Sequence, residues 1–209
     1  MAQQIDITLV RHGRSRADDE GVHEGRYDSP LTDVGCTQAL EAGKDLASLV
    51  SDCKAIIASP LQRAQSTASI ISTCLGVPVE TDPDWMEMDN GPLAGLPFDE
   101  AAERYPKPAF RNPYDRIAGV GESEWSLYAR AAKALERLVQ RGHGQYIVVA
   151  HGNILNAALR TVLGSVPSGN NQGAVFDFGD LGYVRLTYFP AEHRWVVREF
   201  HPGYCQDMA

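Results

Sequence analysis

Short apolar runs that end abruptly at turn residues constrain this chain most. Residues 5–10, 55–58 and 146–150 are such runs, the first interrupted by Asp6 and Thr8, and each leads through a turn into a helix-period pattern. Runs this short and apolar read as buried strands. After the first, Thr32 is placed to cap a helix that carries Cys36, Ala39, Leu40, Gly43, Ala47 and Val50 along one face. After the second, Ser59 is expected to cap, Pro60 to take the first helical position and Gln62 to complete a capping box. That helix should run to about Cys74, with residues 77–80 as a short third strand. Leu127, Ala131, Leu135 and Leu138 mark a long amphipathic helix before residues 146–150, and 154–163 an apolar one after them. Residues 183–189 and 195–200 read as two strands joined by a turn. The alternation predicts an α/β fold, a three-layer α/β/α sandwich with a mostly parallel central sheet.

Between Pro92 and Pro113 the pattern changes, with five of the twelve prolines and several aromatic residues and cations. An irregular insertion is expected over about 92–120, with one short helix around 100–105. The 209 residues are expected to form one domain carrying this insertion. A net charge of −8 argues against nucleic acid as a partner, since a basic surface is needed to neutralise its phosphates. No apolar run approaches the roughly 20 residues that span a bilayer, and MAQQIDITLV has none of the marks of a signal peptide. A cytoplasmic location without membrane contact is therefore expected. Cys36, Cys53, Cys74 and Cys205 are scattered, with no Cys/His pattern for a metal, and three of them lie in apolar segments where cysteine behaves as a small hydrophobe.

Two of the strands stop at the same dipeptide, in LVRHG and VVAHG. In parallel sheets ligands bind beyond the carboxyl ends of the strands, so His12 and His151 are expected together there. Gly13 and Gly152 let the backbone turn sharply and let a ligand approach the main chain. Arg11 adjoins His12, and Arg63 falls in the first turn of the helix that follows Ser59. A cation is unfavourable at that helix end, where the dipole is already positive, unless an anion is bound there. Arginine's planar fork suits a phosphate dianion. His12 as nucleophile, with Arg11, Arg63 and His151 around the phosphoryl oxygens, would transfer phosphate through a covalent intermediate without a metal or other cofactor.

LVRHGRS, DSPLTDVGCTQA, SPLQRAQSTA, the segment from Glu87 to Gly95, GESEWSLYAR and VVAHGNIL resemble, in this order, the phosphoglycerate-mutase-like branch (branch 1) of the histidine phosphatase superfamily. The blocks span about residues 5–165. The resemblance implies the phosphoglycerate-mutase-like fold, with His12 as nucleophile, Arg11 and Arg63 as phosphate-binding arginines and His151 as the second histidine. It also implies Glu87 as general acid, because Gly91 and Gly95 follow at the family's spacing; spacing alone leaves Asp89 equally open. Ser15 matches a hydroxyl residue often found after RHG.

Two positions depart from the family pattern. Asp18 stands where an asparagine is common, within the acidic stretch Asp18, Asp19, Glu20, which reads as a solvated loop unless Asp18 meets a cationic substrate group. Arg14 replaces a common acidic residue and either reaches substrate or stays on the surface. The segment MDNGPLAGLPFDEAAERYP resembles the family's phosphatases more than its mutases, so a phosphatase acting on a phosphorylated small molecule is expected. A phosphoglycerate mutase and an inactive phospho-ligand-binding relative are the alternatives. Arg104, Lys107, Arg111 and Arg116 read as surface charges that could also meet a substrate.

Overall fold

A computed structural model describes residues 4–204. The central six-stranded sheet has the order β3-β2-β4-β1-β5-β6. Four strands are mutually parallel: β1 (Ile5–Arg11), β2 (Cys53–Ala58), β3 (Val79–Thr81) and β4 (Gly144–Ala150). The remaining two, β5 (Tyr183–Phe189) and β6 (Arg194–His201), add antiparallel at the β1 side. A short turn joins these two, which accounts for their antiparallel pairing with each other.

Helices cover both faces. On one side α2 (Asp33–Leu49) and α3 (Gln62–Leu75) pack over Val10, Ile56, Ile147 and Val149. On the other, α5 (Glu124–Gln140) and α6 (Gly152–Val162) pack over Ile7, Leu9, Ile57 and Val148. Consecutive residues of β4 thus serve opposite cores, which is why residues 146–150 are apolar without alternation. The insertion contains a helix, α4 (Phe98–Arg104), between irregular segments. A further short helix, α1 (Arg16–Glu20), follows β1 directly. None of the described helices is long and apolar enough to cross a membrane.

Three local expectations are corrected. In α2 the buried residues are Gly35, Gln38, Ala39, Gly43 and Leu46, whereas Cys36, Leu40 and Ala47 are exposed. Ala39 and Gly43 belong to both faces, and Gly43 packs so closely on α3 that a Cβ there would come 2.9 Å from Cys74 Sγ; about them the helix is turned to bury Leu46 instead of Leu40 and Ala47. Cys36 is therefore no core residue, while Cys53 and Cys74 are partly buried; Cys205 lies outside the described residues. The α3 helix starts at Gln62, with Leu61 at its N-cap, so Ser59 and Pro60 precede it and there is no capping box. Asp28 takes over that task, its carboxylate accepting from Gln62 N at 2.7 Å.

Candidate active site

Parallel pairing of β1 with β4 runs in register to Arg11 opposite Ala150, the last residue of each strand. The next residues, His12 and His151, therefore emerge side by side, with ring centroids 5.0 Å apart. Both are buried. His12 Nδ1 lies 2.7 Å from Gly13 O, and Arg63 Nε donates to His12 Nε2 at 3.2 Å. These partners suit the neutral tautomer with its proton on Nδ1, in which the Nε2 lone pair accepts from Arg63 until a ligand takes that donor.

Arg63 is fully buried and held rigidly, donating also to Tyr27 O at 2.8 Å and Gly25 O at 2.9 Å. Its own helix helps to anchor the loop after β1: Thr67 Oγ1 donates to Arg63 O at 2.8 Å and accepts from Gly13 N at 3.1 Å. Arg11 donates to Phe178 O at 2.7 Å, and its other terminal nitrogen is 3.7 Å from both Asp18 and Asp180. Burial raises the Asp180 pKa, an effect that Arg11 opposes and Asp18 reinforces.

His151 is oriented by a hydroxyl. Ser59 Oγ lies 2.8 Å from His151 Nε2 and accepts from Leu61 N at 3.3 Å. With Leu61 N–H pointing at the oxygen, the hydroxyl proton is free to go to Nε2, and in that arrangement the ring's own proton sits on Nδ1. That Nδ1 is buried with no hydrogen-bond partner among the described residues. Burial first, then the charges of nearby arginines, Arg63 foremost, hold the His151 pKa well below the ordinary histidine value. His151 is thus a neutral ring with one donor to spare.

Glu87 is buried at the amino end of α6, beside His151. Oε2 accepts from Asn153 N at 3.1 Å, and Oε1 from Ile154 N at 3.2 Å and Met88 N at 2.7 Å. Asp89 instead accepts from Gly91 N and lies 3.5 Å from Arg26, partly exposed. Gly152 forms the first turn of α6. Arg130 fixes the backbone that carries Glu87, donating to the carbonyls of Asp84, Met86 and Glu87 while pairing bidentately with Glu122.

Ser15 is buried as the N-cap of α1, and Asp18 closes a capping box with it, accepting from Ser15 N at 2.8 Å. The reading of Asp18 as part of a solvated loop is corrected: its side chain is only 11% exposed and faces Arg11. Arg14 lies at the surface, 2.6 Å from Asp19. Arg104 likewise pairs with Glu100, and Arg111 with Glu124.

Sequence reasoning missed Ser59 as a partner of His151 and missed Glu24 altogether. The Glu24 carboxylate lies 3.5 Å from His12 Nε2 and 3.3 Å from Arg63 Nε, and it accepts from the Ser15 hydroxyl. An acidic residue between two glycine-bounded turns carried no signal of that placement. Among the described residues, no group of three or more His, Cys, Asp or Glu side chains is arranged to hold a metal ion.

Known proteins resemble the chain over most of its length. The model of the histidine phosphatase superfamily (branch 1) matches residues 7–199. The uncharacterized phosphatase PhoE of Bacillus subtilis is 32% identical over 93% of each chain. A metal-independent phosphoserine phosphatase of Arabidopsis thaliana is 36% identical over 75% of this chain and 68% of its own. Among solved structures, a mycobacterial glucosyl-3-phosphoglycerate phosphatase complexed with VO3 superposes with a TM-score of 0.79. It covers 94% of this chain and 98% of its own at 24% identity, a likeness of fold.

Proposed function

Because the chain belongs to branch 1 of the histidine phosphatase superfamily, we propose that it hydrolyses a phosphomonoester of a small molecule through a phosphohistidine at His12, without a metal. The observation that carries this is the His12 environment: Nδ1 bonded to Gly13 O and Nε2 turned to the Arg63 guanidinium. An imidazole so held is an oriented nucleophile, and its lone pair is released for attack when a phosphoryl oxygen takes over the Arg63 donor.

In the first displacement, Nε2 attacks phosphorus in line, the N–P bond forms and the P–O bond to the leaving group breaks. Arg63 and the spare Nδ1–H of His151 donate to the non-bridging oxygens, with Arg11 supplying charge from behind; such fixed donors are usually the largest catalytic contribution. Glu87, once Oε2 has taken up a proton while Oε1 keeps its two backbone donors, passes that proton to the departing oxygen. In the second displacement water attacks phosphorus, Glu87 takes up a proton, and inorganic phosphate leaves with His12 restored. Relatives named as phosphatases support hydrolysis, while others of 31–34% identity are named probable phosphoglycerate mutases, and a metal-independent phosphatase among the former supports the absence of a metal requirement.

The test is hydrolysis of p-nitrophenyl phosphate and a panel of phosphorylated metabolites, phosphoserine and phosphoglycerates included, in excess EDTA. Wild type should turn over, and folded His12→Ala should lose at least about a thousandfold in kcat. Quenched turnover should trap an acid-labile phosphoryl group on the protein. Activity persisting in His12→Ala refutes the nucleophile, and isomerisation of phosphoglycerate without phosphate release assigns a mutase instead.

A further inference from the structure

Glu24 stands where an oxyanion has to go. An attacking nitrogen meets phosphorus from about 3–3.5 Å, and Glu24 Oε2 already lies 3.5 Å from His12 Nε2. Its Oε1 takes the donors that a phosphoryl oxygen would seek, Arg63 Nε and the Ser15 hydroxyl. The carboxylate thus occupies the approach to the nucleophile and mimics the charge of the group to be bound.

Three elements supply the groups that face it: His12 at the end of β1, Ser15 capping α1 and Arg63 in the first turn of α3. Behind them, Arg11 is shared with Asp18 and Asp180. Two arginines are therefore matched by three carboxylates before any ligand enters. Burial disfavours the charge on Glu24; Arg63 and the Ser15 hydroxyl oppose it, and the imidazolium form of His12, not the neutral ring at rest, would add the largest pull and hold the carboxyl well below the usual range. A dianion arriving beside this carboxylate meets like charge at contact distance in a poorly solvated site, which is strongly repulsive.

We propose that Glu24 determines the oxyanion specificity of this site: it excludes a tetrahedral dianion unless its carboxyl takes up a proton, which it then donates to an oxygen of that dianion. The inference rests on the phosphatase reading above. One proton is gained per anion bound, and the carboxyl changes from rival anion to hydrogen-bond donor. Activity and anion affinity then rise together towards acid pH.

Sulfate tests this cleanly, being a tetrahedral dianion with no proton of its own to lose near neutrality. Calorimetric titration with sulfate from pH 5.5 to 8 should show wild-type affinity falling about tenfold per pH unit. Glu24→Gln should lose most of that slope and bind sulfate at least about tenfold tighter at pH 8, because the amide keeps a donor and carries no charge. Glu24→Thr provides the same comparison should the glutamine variant not fold. A variant that binds no tighter at pH 8 and keeps the wild-type slope overturns the assignment. If wild type still hydrolyses p-nitrophenyl phosphate in that case, the Glu24 inference alone has failed. If it hydrolyses none of the phosphomonoesters and binds no sulfate, both readings fall.

Discussion

Ser59→Ala isolates how His151 is held. The substitution removes the hydroxyl that lies 2.8 Å from Nε2 and accepts from Leu61 N, both in a fully buried setting. His151 Nδ1 already has no partner among the described residues, so the variant leaves both ring nitrogens unsatisfied. An orphaned buried polar group costs about 1–3 kcal/mol, and a loss near 2 kcal/mol is expected here. For a chain of this length that lowers Tm by roughly 4–8 °C. Catalysis should suffer separately, because Ser59 also selects the ring proton's position. Without it the Nδ1–H form is no longer favoured, and a lone pair facing a phosphoryl oxygen repels it. A kcat 10- to 100-fold lower corresponds to about 1.4–2.8 kcal/mol at the transition state, the size of one misplaced donor. Thermal denaturation gives the first figure and steady-state kinetics the second. Nitrogen-15 spectra of the imidazoles report the tautomer, and Ser59→Thr, which keeps the hydroxyl, should restore it. A Ser59→Ala enzyme with kcat within twofold of wild type and an unaltered His151 tautomer would refute the reasoning, leaving packing alone to orient the ring.

Two further substitutions address the surroundings. Arg130→Met removes the bidentate pair with Glu122 and the donors to three backbone carbonyls around Glu87. It should cost about 2 kcal/mol in urea denaturation, below the fully buried range because both partners keep some exposure, and Arg130→Lys should recover little of it. His151 should make the fold acid-sensitive: its folded pKa is depressed by burial and then by neighbouring cations. Below an unfolded value of about 6.5 the unfolded chain therefore binds a proton that the folded chain refuses. Stability from this group is fully present above about pH 6.5 and is lost as pH falls towards the folded pKa. Urea midpoints at pH 7 and pH 5 should differ less in His151→Gln than in wild type, and equal differences would rule the linkage out.

What the sequence disclosed, and what it hid, follows from how far each interaction reaches along the chain. The parallel core was legible because covering both faces of a strand forces continuous apolar runs, and β4 serves both cores. Register did the rest for the two histidines: strands paired to their last residues deliver the following residues to one place. The rotation of α2 was not legible, since Ala39 and Gly43 belong to two adjacent stripes and only packing in the folded chain selects the one with Leu46 over the one with Leu40 and Ala47. Ser59 was read as a cap because a serine before proline has that local use, whereas its partner His151 lies 92 residues away. Asp18 and Glu24 were hidden for a related reason. A charged residue in a polar loop is assigned to solvent unless a cation is known to face it, and here Arg11 and Arg63 come from other elements. The same reasoning separates two kinds of functional residue. Those that must stand at strand ends announce themselves through the pattern that builds the sheet. Those that tune the charge of the site arrive on loops, and their effect depends on the arginines they meet rather than on any spacing. Glu24 belongs to the second kind, so the ionisation of the site, unlike its position, has to be read from the folded chain.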